Sequence, residues 1–109
     1  MKFLIAVEPN PARQPPPEQL PQLLRAQADT LRAQLQSGKL DCVYSTGQGA
    51  GFGIADAASV EQVWERIAEN PFALFWDITV TALGDPIALT EIQVRMVTAA
   101  QPVGATSRN

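Results

Sequence analysis

The stretch Ser45-Thr46-Gly47-Gln48-Gly49-Ala50-Gly51-Phe52-Gly53-Ile54-Ala55 places a glycine at every second position from Gly47 to Gly53. Alternate side chains of an extended chain fall on opposite faces. One face would then carry Ser45, four glycines and Ala55, and the other Gln48, Ala50, Phe52 and Ile54. Glycine inside a strand costs conformational entropy and packs nothing, so such a run is kept where something bulky lies against the backbone, either a ligand or another piece of protein. The spacing is GxGxGxG rather than GxGxxG, and no helix starts directly behind it, so it does not read as a dinucleotide loop.

Working outward, Leu40 to Ser45 alternates Leu40, Cys42 and Tyr44 with Asp41 and Val43 and reads as a strand joined to Gly47–Asp56 by a hairpin through Thr46 to Gly49. Upstream, Leu20 to Gln36 has the helical spacing Leu24, Ala28, Leu31, Leu35, with Arg25, Asp29, Arg32 and Gln36 opposite, and Ser37-Gly38 as its stop. Before it lies a proline-rich connector, Pro9-Asn10-Pro11 to Pro15-Pro16-Pro17, read as a stiff surface loop. The first strand covers residues 2 to 8 and is apolar on both sides, Phe3, Ile5 and Val7 against Leu4 and Ala6. Downstream, Ser59-Val60-Glu61-Gln62 matches a capping box opening a helix with Val60, Val63, Trp64 and Ile67 on one side, ending at Asn70-Pro71. Phe72 to Leu83 alternates as a last clear strand. Residues 89 to 98 read as a fifth strand, although Leu89, Ile92 and Met96 also suit a helix, and Gln101 to Asn109 look frayed.

The order βαββαβ predicts an α+β domain of ferredoxin-like type over residues 1–84, an antiparallel sheet with two helices on one face, followed by a C-terminal extension over 85–109 that packs on a partner subunit. Helices on one face leave the other side of the first strand bare. A second, symmetric sheet covering it gives a dimeric α+β barrel, so the expected partner is another copy of the chain, as homodimer or larger homo-oligomer.

The chain resembles the muconolactone isomerase family. The resemblance rests on Leu24-Arg25-Ala26 with Leu31 and Leu35, on Gly47 to Asp56, on Ser59-Val60-Glu61, and above all on Asn70-Pro71-Phe72-Ala73-Leu74-Phe75-Trp76-Asp77-Ile78-Thr79-Val80, similar to the family's proline-leucine-phenylalanine-proline stretch before its last strand. It covers roughly residues 20 to 83. It implies a ferredoxin-like subunit forming α+β-barrel dimers, and a double-bond shift in an unsaturated lactone by proton transfer. In this chain Gln48 stands where family members place a histidine, and Tyr44 stands near the family's arginine.

With 109 residues the chain suffices for one domain with a real core. Only 17% of it is charged, which predicts a surface partly covered by another subunit, and a net charge of −3 argues against nucleic acid and membrane as partners. One cysteine, Cys42, and no histidine exclude a disulfide framework, a Cys/His zinc site and imidazole-activated nucleophiles; Cys42 is expected as an inert buried thiol. The apolar run at the amino terminus is broken by Glu8 without a cleavage site, so a cytoplasmic location is expected.

Proton transfer needs an acid and a base within reach of the substrate, and neither a cofactor nor a metal is expected. Glu8 at the end of the first strand and Asp77 beside Phe72, Phe75 and Trp76 are the candidate shuttles, unless they are solvated or paired with Arg13, Arg66 or Arg95. Tyr44 either donates to an enolate or anchors the sheet interface. The candidate contacts of a small organic acid or lactone are Gln48, Gly49, Gly51, Phe52, Trp64, Phe75 and Trp76, with Trp64 and Trp76 also fitting a plain core role. The competing reading is a non-catalytic assembly or ligand-binding module whose cavity is merely filled.

Overall fold

The computed structural model describes residues 1–100; the expectation of a frayed tail falls on 101–109, outside the described residues. Four strands, β1 (Lys2–Pro9), β2 (Cys42–Gly47), β3 (Ala50–Asp56) and β4 (Trp76–Leu83), form an antiparallel sheet in the order β2-β3-β1-β4. Helices α1 (Leu20–Gln36) and α2 (Val60–Ala68) connect β1 to β2 and β3 to β4, which is the expected βαββαβ order. Among the described residues no helix is long and apolar enough to cross a membrane.

Pairing of Phe3 with Ala55 and Ala82, Ile5 with Gly53 and Val80, and Val7 with Gly51 and Ile78 puts these residues on one face of the sheet. That face carries the core. Phe3, Ile5, Leu40, Ala55, Ala57, Val63 and Ile67 are buried, with Val7, Leu31, Val43, Ile78 and Val80 packed against them. The central β1 is thus apolar inward because α2 covers it, while its outer residues Leu4 and Ala6 are only half-buried.

Local chemistry sets the element ends. Pro21 is accommodated in the first turn of α1, where its missing N–H is not needed, and Gly38, at φ 78°, follows the last turn. Ser59 caps α2 by accepting from the Gln62 N–H at 3.2 Å; Gln62 Oε1 reaches back to the Ala58 N–H at 2.9 Å, one residue further than the capping box places it. The two helices are tied by the buried Gln34, whose Nε2 donates to the Arg66 carbonyl and to Glu69 Oε1, both at 2.9 Å. Glu69 also pairs with Lys39 at 3.0 Å. The Gln34 amide and then the Lys39 ammonium hold the Glu69 carboxyl below its ordinary range.

Several expectations are corrected. Residues 89 to 98 are not a fifth strand but part of a helix, α3 (Pro86–Ala100). Asp85 and Pro86 explain it: the Asp85 carboxylate accepts from the Ile87 N–H at 2.9 Å, and proline suits a first helical position. Phe72 to Phe75 lie outside β4, with residues 73–75 in a 3-10 turn. Leu40 precedes β2 and is a core residue. On α2 only Val63 and Ile67 are buried, whereas Val60 and Trp64 are 41% and 44% exposed. Cys42 is a free thiol and half-buried rather than enclosed.

The glycine stripe is corrected too. Gly47 and Gly49 have φ of 97° and 81° and serve the β2–β3 turn together with Gln48 at φ 56°, so they are not part of an extended face. Only Gly51 and Gly53 remain as bare strand positions, and both face the helices.

Candidate functional site

Over Gly51 and Gly53 the sheet offers no side chains to α1, and the helix stands off. Leu24, on the helix face expected to be buried, is 52% exposed, and among the apolar residues of α1 only Leu31 joins the core. Between helix and sheet lies a cavity of about 590 Å³. Its floor is Ile5, Val7, Val43 and the two glycines, its roof is Leu20, Leu24, Gln27 and Leu31, and one end is closed by Phe72, Phe75 and Trp76. The Phe72 ring stacks on Trp76 at 5.9 Å and meets Phe75 edge-on at 6.3 Å, which makes that end a rigid aromatic wall.

The proline-rich connector forms the mouth, with Pro9, Asn10, Arg13, Gln14, Pro15 and Pro17 bordering the cavity. It is fastened to the start of β4. The Asn10 N–H donates to the Phe75 carbonyl and its Nδ2 to Asp77 Oδ1, both at 2.9 Å. Arg13 donates through Nε to the Leu74 carbonyl at 3.0 Å and through Nη2 to the Trp76 carbonyl at 2.9 Å, and pairs with Asp77 at 3.5 Å. The connector is therefore a wall of the candidate site rather than a bystander loop. Stiff prolines between a buried strand and the helix that roofs the sheet are the sequence signal for this wall.

The candidate ligand contacts divide. Gly49, Gly51, Phe52, Phe75 and Trp76 border the cavity, while Gln48 sits in the hairpin turn and Trp64 on the outer side of α2, neither of them at the cavity. Residues that the sequence reading passed over, above all Gln27, Leu24, Leu20 and Gln14, complete it.

The candidate acid–base groups lie elsewhere. Glu8 faces Asp77 across β1 and β4, one position out of phase with Val7 and Ile78, so both carboxylates belong to the uncovered face of the sheet and both residues are exposed. Tyr44 pairs with Phe52 in the β2–β3 ladder, and its ring lies 5.7 Å from that of Phe52. Both residues border the cavity along the hairpin, but strand alternation directs their rings to the same uncovered face as Glu8 and Asp77. Of the three, Asp77 has identified partners, Asn10 and Arg13. Among the described residues no Asp or Glu side chain lines the cavity.

At the opposite end of the sheet, Lys2 bonds to Asp41 and lies 3.6 Å from Asp56, which also binds the amino terminus at 3.0 Å. Donating a hydrogen bond to the Asp41 carboxylate raises the Lys2 pKa, and accepting one from the terminal ammonium lowers the Asp56 pKa. These groups are exposed and brace the sheet corner. Among the described residues no three His, Cys, Asp or Glu side chains are grouped as a metal site.

No protein-family profile and no curated protein sequence matches the chain. Solved structures do. Muconolactone isomerase superposes with a TM-score of 0.65 at 19% identity, covering 79% of this chain and 92% of that one. A 5-chloro-2-hydroxyhydroquinone dehydrochlorinase from Burkholderia phenoliruptrix AC1100, in complex with 2,5-dihydroxybenzoquinone, superposes with a TM-score of 0.56 at 22% identity, covering 81% of this chain and 98% of that one. The strand order, the two helices on one face and these superpositions together establish that the chain has the muconolactone isomerase-like, ferredoxin-like α+β fold.

Proposed function

We propose that this protein binds a small oxygenated ring compound, a lactone, quinone or ring acid, in the cavity between α1 and the sheet, without a cofactor. The cavity itself carries this reading: about 590 Å³ of space with apolar walls, one aromatic end and a few amide groups has the size and make-up of a small-molecule site. The names of the two structural neighbours refer to a lactone and to a chlorinated hydroxyhydroquinone, which makes lactones and hydroxyquinones the first compounds to try. A thermal-shift series with such rings, run on the protein and on Leu24→Trp, which fills the cavity from its roof, tests it. Stabilisation of the unaltered protein and none of the variant is expected. Absence of any shift at millimolar ligand sinks the reading.

Isomerisation is the turnover that fits this fold best, with Glu8, Asp77 and Tyr44 as the acid–base groups. Their side chains share the uncovered sheet face, whereas the ligand cavity lies on the other, so the geometry of one chain supports binding more directly than turnover. Deuterium uptake into a bound lactone, followed by NMR, separates an isomerase from a binder.

A second observation supports self-association. The uncovered sheet face groups Leu4, Ala6, Cys42, Tyr44, Phe52 and Ile54, with Tyr44 61% exposed. Another copy closing this face makes an α+β barrel, and α3 packs on that partner, since its Ile87, Val94, Met96 and Val97 are all more than half exposed. Sedimentation showing only monomer at micromolar concentration is the refuting result.

A further inference from the structure

The charge around the cavity allows its ligand to be specified further, on the premise that the cavity is a ligand site. We infer that, of the rings proposed above, it selects the uncharged ones, lactones and quinones, and discriminates against a ring acid. Among the described residues two cationic side chains, Arg13 and Arg66, border it, and both guanidinium groups are partly engaged by the protein. Arg13 is held by the Leu74 and Trp76 carbonyls with Asp77 as counter-charge. Arg66 donates through Nη1 to the Lys39 and Asp56 carbonyls at 2.8 and 2.7 Å. An anion seated at Arg13 would share that cation with the Asp77 carboxylate, and one seated deeper would be stripped of water against leucine, valine and proline walls, where a desolvated charge is tolerated only with a dedicated partner. The chain's net charge of −3 adds repulsion on approach.

What the cavity does provide is neutral polarity. The Gln34 Nε2 donates to the Arg66 carbonyl and to Glu69, and Asn70 Oδ1 accepts the Phe72 N–H at 2.9 Å. Gln27, half-buried in the roof, makes no hydrogen bond with another described residue. An amide there offers a donor and an acceptor together, which matches a ring carbonyl or hydroxyl and gives no net charge to a carboxylate. The floor, where two glycines leave peptide planes bare, favours a flat ring over a bulky one.

A pair of probes differing in charge at constant shape tests this: 4-hydroxybenzamide and 4-hydroxybenzoate, titrated calorimetrically at neutral pH. The amide is expected to bind about tenfold more tightly, and any preference of threefold or more supports the inference. A smaller preference, or a reversed one, overturns it and leaves the cavity as a ligand site. If neither probe nor any neutral ring from the thermal-shift series binds, the site assignment itself falls. Gln27→Leu, with an unchanged melting temperature, is expected to weaken the amide about fivefold; unchanged affinity overturns the role given to Gln27.

Discussion

Adding a single methyl group at Gly51 sets two effects of opposite sign against each other. Strand propensity favours the change: alanine has less unfolded-state entropy to lose than glycine, worth about 0.4–1 kcal/mol where the backbone angles allow it, and Gly51 does not have a positive φ. Packing opposes it. A Cβ built on Gly51 lies 2.6 Å from the Tyr44 carbonyl oxygen, 3.5 Å from Ser45 Cα and 3.6 Å from the Tyr44 carbonyl carbon. All three atoms are main chain of the adjacent β2, next to the irregularity in register between Ser45 and Gly47. Ordinary contact begins at 3.4 Å, so the oxygen has to retreat by roughly 0.8 Å, carrying its ladder with it. Backbone cannot rotate away as a side chain can.

Overpacking of this kind costs about 1–3 kcal/mol, more than the entropic gain returns. Gly51→Ala is therefore expected to lower the melting temperature by about 4–8 °C for each kcal/mol of net loss, and Gly51→Val to lower it further. Gly53 supplies the internal comparison. Its Cβ would stand 3.0 Å from the Cys42 carbonyl oxygen and 3.7 Å from Leu40 and Val43 side-chain atoms, so Gly53→Ala needs half the displacement and is expected to lose less. Differential scanning calorimetry on the three variants decides. A Gly51→Ala protein that melts higher than the unaltered one, or a larger loss at Gly53 than at Gly51, refutes the argument that β2 backbone excludes the methyl.

Three further outcomes are expected. Ser59→Ala removes the acceptor for the Gln62 N–H and should cost about 1 kcal/mol in urea melts, without affecting ligand titrations. Because the Glu69 carboxyl is depressed below its ordinary value of 4.5, its contribution is fully present above that value and disappears as pH falls through the lower folded value. With the side chain 44% exposed, that contribution is below about 1 kcal/mol, so the stability gap between the protein and Glu69→Gln should be small near neutral pH and close as the carboxyl is protonated in acid. Phe52→Glu puts a charge in the centre of the uncovered sheet face, and sedimentation should show loss of association with the circular dichroism of the fold retained; a variant that still associates removes this face as the interface.

The fold was legible because its signals were redundant. Leu20–Gln36 combined a 3.6-residue period with a proline in its first turn and a glycine after its last, and the alternation around Trp76–Leu83 survived even though Phe72–Phe75 form a turn. The C-terminal helix was missed for a definable reason. Ile92, Val94 and Met96 alternate as a strand would, but Asp85 and Pro86, seven and six residues upstream of the first of them, supply a cap and a first turn, and the start signal outweighs a period of two.

The site was only half legible, and its glycines show why. A run of four at alternate positions looks like one device, yet it contains two. Gly47 and Gly49 supply positive φ to a tight turn, whereas Gly51 and Gly53 keep side chains out of the space between sheet and helix. Sequence spacing cannot tell these apart, because both uses favour the same residue. Partition of the two faces was equally hidden: Gly51 and Tyr44 come from one hairpin, and only the register, Ser45 with Gly51 and Tyr44 with Phe52, reveals that the bare backbone and the phenol point to opposite sides. From that register follows the separation of the cavity from Glu8, Asp77 and Tyr44. Emptiness on the inner face comes from missing side chains, and acid–base groups on the outer face come from present ones, so a reading that lists residues by type will always join what the sheet holds apart.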